Sequence, residues 1–118
     1  MPESLSVDIC VIGAGSGGLS VAAGAVQMGA SVALFERGAM GGDCLNYGCV
    51  PSKALLAAGR AAAQYGRTSG FGVHGAGARV DFAQVHQHVH GVIASIAPHD
   101  SVARFEGLGV HVFGEAAR

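Results

Sequence analysis

An apolar run from Val7 to Ile12, broken only by Asp8, stops at Gly13-Ala14-Gly15-Ser16-Gly17-Gly18 and gives way to an alanine-rich, proline-free stretch reaching Met28. No other stretch of the chain restricts the fold so tightly. A short β-branched run closed by glycine reads as a buried strand, and the stretch after it as a helix, so the glycines form a strand-to-helix turn. Gly29 falls just past the helix end, the position a left-handed C-terminal residue takes, and Ser31 to Phe35 is a second apolar run closed by Glu36. Two strands joined through one helix make a βαβ unit with parallel strands and a right-handed crossover. The expected fold is α/β, a Rossmann-like parallel sheet with helical crossovers.

The glycines follow the pattern GxGxxG at Gly13, Gly15 and Gly18. A tight turn, close backbone approach to a pyrophosphate and close packing of helix on strand each exclude a β-carbon, while the helix N-terminus offers free amides to phosphate. Alone the pattern is weak evidence. Here it follows a predicted strand, opens a predicted helix, and has Glu36 at the end of the second strand, where a carboxylate can accept ribose hydroxyls. Together these features point to dinucleotide binding.

Further along, Ser52 to about Tyr65 predicts a helix, and Gly66 to Gly77 is a glycine-rich connection. Phe82, Val85, Val89, Val92, Ile93 and Ile96 recur at three and four residues, which predicts a second long helix with one apolar stripe packed inward. Pro98 interrupts it, Asp100 or Ser101 can cap a short continuation through Phe105, and Val110 to Phe113 reads as a third strand. The sheet order that follows is three, two, one, with the outer edge of strand one left free.

Gly41 to Lys53, GGDCLNYGCVPSK, places Cys44 and Cys49 five apart inside a glycine-flanked turn leading into an apolar helix. In an undistorted helix their Cα atoms would stand roughly 8.7 Å apart, beyond the ~7 Å reach of a disulfide. They can bridge only across a bent first turn, which Asn46, Tyr47 and Gly48 tolerate, with Pro51 restarting the helix where no backbone donor is needed. A strained, accessible bridge is reducible and therefore catalytic more often than structural. Two free thiols in a loop remain the alternative; a zinc half-site fits less well, because zinc knuckles favour two to four intervening residues and a second ligand pair.

The thirteen residues from Gly41 to Lys53 resemble the active-site signature of the class I pyridine nucleotide-disulfide oxidoreductases, the flavoproteins that include dihydrolipoamide dehydrogenase, glutathione reductase and mercuric reductase. Only Asp43 departs from the signature, standing where the family usually has Thr. The resemblance spans essentially the whole chain and is strongest from Val7 to Lys53. It implies FAD on the first βαβ unit, with Gly13, Gly15, Ser16 and Gly18 along the pyrophosphate and Glu36 at the adenosine ribose. Arg37, Gly38, Gly42 and Asp43 would form the loop around the nucleotide, Lys53 would lie near the flavin and the Ala116 backbone near the adenine. Electrons would pass from NAD(P)H through FAD to a Cys44–Cys49 disulfide, and from there to a small thiol or disulfide substrate or a metal ion. The resemblance assigns Cys49 the flavin-facing role and Cys44 the interchange role. GCVPSK and the PHDS segment at Pro98 look more like mercuric reductase and its relatives than like glutathione reductase.

Residues 1–118 then read as an N-terminal, incomplete FAD-binding domain, with the NAD(P) and dimerisation domains of a homodimeric enzyme outside it. The remaining alternatives are a non-catalytic FAD-binding fragment and, ranked last, a Cys/His zinc-binding interaction domain. A formal charge of −1 gives no footprint for nucleic acid or anionic membrane. No run approaches the ~18 apolar residues of a membrane span, the N-terminus has no signal-like segment, and a cytoplasmic location is expected. Cys10, inside the first strand, is expected to be an inert core residue. His86, His88 and His90 form no three-ligand metal site on a helix, since His88 points roughly 160° away from His86.

Overall fold

The structure, a computed structural model, describes residues 4–118. Strand β1 (Ile9–Ile12), helix α1 (Ser16–Gln27) and strand β2 (Val32–Phe35) form the expected βαβ unit. A short helix α2 (Gly42–Asn46) and the longer α3 (Cys49–Arg67) follow, then a 3-10 turn (Thr68–Phe71) and α4 (Phe82–Ile96). A second 3-10 turn (Ala97–Asp100) leads into α5 (Val102–Gly107) and strand β3 (His111–Phe113). The three strands are parallel with β2 in the middle, the predicted order, and Ile9 pairs with Val32 while Phe35 pairs with Phe113. At the start of the ladder Asp8 accepts from both the amide (2.8 Å) and the hydroxyl (2.7 Å) of Ser31, which fixes the register of β1 on β2.

Strand alternation decides where the core lies. Val11 of β1, Val32 and Leu34 of β2 and Val110 before β3 are buried with Leu19 and Ala22 of α1 and with Phe105 of α5. Phe105 is 1% exposed, and burying a ring of that size stabilises a domain by about 1.5–3 kcal/mol. Its helix is capped by the Ser101 hydroxyl, which accepts from the Arg104 amide at 3.2 Å. The Phe105 carbonyl then accepts from the amide of Val110, leading the chain into β3.

The opposite face of the sheet is open, and this corrects the expectation for Cys10. Cys10 is exposed and Ile12 is 75% exposed, because residues one step out of phase with Val11 point to the side that neither α1 nor α5 covers. On that side the rings of Phe35 and Phe113 stack at 4.8 Å. The apolar stripe of α4 also behaves differently from the expectation. Val85, Val89, Val92, Ile93 and Ile96 are only half-buried and Phe82 is 66% exposed, since the neighbour of α4 is α3, another single helix, and not the sheet. The two helices form an arm, and the molecule measures 73 × 27 × 20 Å. Its radius of gyration, 20.5 Å, far exceeds the roughly 13–14 Å of a compact chain of this length.

Candidate dinucleotide and dithiol site

The turn after β1 is built from inside out. The Gly13 amide donates to the Phe35 carbonyl at 2.7 Å, tying the end of β1 to β2, and Ala14 beside it is fully buried. Gly15 precedes α1 in an extended conformation, so the first helical residue is Ser16 and the first-turn amides of α1 have no partner within the helix. Gly18 lies one turn into α1 directly against Gly13. A methyl group there would collide with the Gly13 carbonyl, so the helix can approach the strand only with glycine at this position.

Glu36 closes the turn from the side. Its two carboxylate oxygens accept from the amides of Ala14 and Gly38, each at 2.7 Å, which joins the glycine turn to the loop after β2. A carboxylate has about four acceptor sites, so two hydrogen bonds leave capacity for hydroxyls of a ligand.

The cysteine segment rests on this turn. The Gly41 amide donates to the Ala14 carbonyl at 2.9 Å. Gly42, with φ of +58°, brings its backbone so close to Gly15 that a β-carbon would lie 2.7 Å from the Gly15 Cα. Sequence reasoning gave Asn46 no role beyond tolerating a bend, yet its side-chain amide donates to the carbonyls of Met40 (3.2 Å) and Gly42 (2.9 Å) and holds the loop shut. The helix breaks where the spacing requires it: Tyr47 (φ −137°, ψ −8°) and Gly48 (φ −119°, ψ −111°) separate α2 from α3, and Cys49 opens α3.

Cys44 and Cys49 are both free thiols here. Hydrogen bonding to the Cys49 side chain pushes the Cys44 thiol above its ordinary range, with desolvation and charge on Cys49 acting the same way. The Cys49 amide and the Lys53 ammonium pull in the opposite direction, so Lys53, though exposed, is within electrostatic reach of Cys44.

A cleft of about 650 Å³ opens beyond the carboxyl ends of the strands, where ligands bind in open parallel sheets. It brings together Gly13, Glu36, Arg37, Gly38, Gly42, Asp43 and Ala116, with Asn46 and Tyr47 added. Gly15, Ser16 and Gly18 stand at the adjoining helix start and do not line it. Cys44 looks out on the opposite face of α2, into a shallow hollow of about 280 Å³ shared with Ser16, Asp100 and Arg104. Cys49 and Lys53 border neither space. Among the described residues no three His, Cys, Asp or Glu gather where one metal ion could be held.

Parallel strands, a glycine turn at a helix start, an acid at the end of β2 and a thiol pair docked on that turn define an α/β domain of the dinucleotide-binding type. The chain belongs to the pyridine nucleotide-disulphide oxidoreductase family, whose sequence model matches residues 7–107. It is 45% identical over 89 residues to a dihydrolipoyl dehydrogenase of Chlamydia muridarum, a match covering 75% of this chain and 19% of that protein. It is 43% identical over 90 residues to the dihydrolipoyl dehydrogenase of Halobacterium salinarum, covering 76% of this chain and again 19% of the relative. The chain thus spans about a fifth of the length of these curated relatives. A crystal structure of LpdA from Mycobacterium tuberculosis shares the fold, with a TM-score of 0.76 and 24% identity over 89% of this chain and 22% of that one. Among the described residues no helix is long and apolar enough to cross a membrane.

The cradle suits the diphosphate of a dinucleotide such as FAD. The first-turn amides of α1 are free to meet phosphate, and the approach of Gly42 to Gly15 gives a backbone wall that any side chain would fill.

Proposed function

We propose that residues 1–118 form the FAD-binding, dithiol-bearing part of a pyridine nucleotide-disulfide oxidoreductase that exchanges two electrons between NAD(P)H and a small dithiol or disulfide substrate of the dihydrolipoyl type. The observation that carries this reading is the Gly41-to-Ala14 hydrogen bond, which fixes the thiol-bearing turn on the nucleotide turn. The relatives described above are dihydrolipoyl dehydrogenases, which favours an organic disulfide over the mercuric ion suggested by GCVPSK and PHDS.

In this reading Gly13, Gly15, Ser16 and Gly18 hold the diphosphate of FAD, Glu36 holds the ribose, and Arg37, Gly38, Gly42, Asp43 and Ala116 surround the nucleotide. FAD, when bound, supplies two-electron exchange between the nicotinamide and the cysteine pair. The remaining chemistry belongs to the cysteines. The Cys44 thiolate attacks one sulfur of the substrate disulfide, forming a mixed disulfide and releasing one substrate thiol. Cys49, as thiolate, then attacks the Cys44 sulfur, releasing the second substrate thiol and leaving a Cys44–Cys49 disulfide. Two electrons have moved from the cysteine pair to the substrate, and the same steps in reverse oxidise a dithiol. Lys53 favours the Cys44 thiolate through its positive charge, and the Asn46 side chain keeps the turn closed so that the two sulfurs stay in reach.

Titration of the chain with FAD, followed by flavin fluorescence, tests the cofactor assignment. One site per chain is expected, with Glu36→Gln weakening binding at least tenfold through loss of charge-assisted hydrogen bonds. Absence of FAD uptake, or full affinity in Glu36→Gln, would overturn it.

A further inference from the structure

Helix α4 carries a feature that the nucleotide and dithiol chemistry does not use. His86 and His90 are one turn apart, both exposed, and their Nε2 atoms are 3.0 Å from each other. The ring centres are 4.3 Å apart and the planes are tilted by 50°. The nitrogens therefore stand closer together than the rings, so the two Nε2 directions converge. They are not head-on either, because a head-on pair with this nitrogen separation would hold its ring centres farther apart.

That arrangement has the bite of a chelate. Imidazole nitrogens bind a divalent transition metal at about 2.0–2.1 Å, so two of them in neighbouring coordination positions, at tetrahedral to right angles, stand roughly 2.9–3.4 Å apart. The observed separation lies inside this range without any change of backbone or rotamer. The i, i+4 spacing on a helix supplies the preorganisation, since both Cβ atoms project from one face. His88 lies on the other side of the helix, where it lines a separate hollow with Asp81, Gln84 and Tyr65, and takes no part.

We propose that His86 and His90 form a bidentate surface site for a borderline divalent transition metal, Ni2+ or Cu2+ being the best suited, with water completing the coordination. Imidazole is a good ligand for these ions, which stand at the high end of the affinity order for nitrogen donors. The ring that donates in the present contact moves its proton from Nε2 to Nδ1, so that both rings stay neutral and each Nε2 lone pair becomes a ligand.

Calorimetric titration with Ni2+ alone tests the site, using a chain with Cys10→Ser, Cys44→Ser and Cys49→Ser so that thiols do not compete. One Ni2+ per chain is expected. His86→Ala and His90→Ala should each weaken it at least tenfold, and His88→Ala should change it less than twofold. A second variant, His86→Ala with Ala94→His, recreates the spacing between His90 and exposed position 94 and should restore binding to within a few-fold. Equal losses in all three single variants, unchanged affinity in His86→Ala, or no recovery in the rescue variant would overturn the proposal.

Discussion

At the scale of single residues the decisive quantity is where the protons of the thiol pair reside. The hydrogen bond to Cys49 holds the Cys44 proton, so the Cys44 thiolate becomes abundant only above the ordinary thiol range. Alkylation of the reduced chain by iodoacetamide, followed residue by residue by mass spectrometry, should therefore show Cys44 reacting slowly near neutrality and faster as pH rises. Cys49→Ala removes the largest cause of the shift and should move the Cys44 profile to lower pH; Lys53→Gln removes a stabilising charge and should move it upward by less. A Cys44 profile unaffected by either change would contradict the contact. The cysteines and the glycines of the turn were legible in the sequence because each needs one residue type at one spacing. Asn46 was not, since its hydrogen bonds run to backbone carbonyls whose positions exist only once the loop has closed.

At the scale of elements, the strand, glycine turn and helix follow the sequence expectation within a residue or two, and the helix break at Tyr47 and Gly48 falls between the cysteines as their spacing demands. Phe105 was harder to read. A lone aromatic in a short helix shows no periodicity, yet α5 turns it onto the sheet and makes it the largest fully buried side chain. Phe105→Ala should destabilise the domain by about 3–5 kcal/mol, measured by urea denaturation with an unchanged slope. Phe82→Ala, on the exposed start of α4, should cost far less. The periodicity of α4 gave the helix and its apolar face correctly; what it could not convey is that other helices, and not the sheet, would cover that face.

At the scale of the whole molecule, two surfaces stand out: the sheet face bearing Cys10, Ile12 and the stacked pair Phe35 and Phe113, and the free edge of β1. Apolar faces and unpaired strand edges associate. The chain without FAD should sediment as oligomers, and Ile12→Lys, which puts a charge on the open face, should shift it toward monomer; a monodisperse monomer before substitution would contradict this. The misreading of Cys10 has the same origin, because alternation along β1 tells which residues share a side but not which side is clothed. The Gly41-to-Ala14 bond carries a mechanical consequence at this scale. The glycine turn and the sulfur-bearing turn are fastened to one another through backbone alone, so a ligand that tightens the first pulls the second with it.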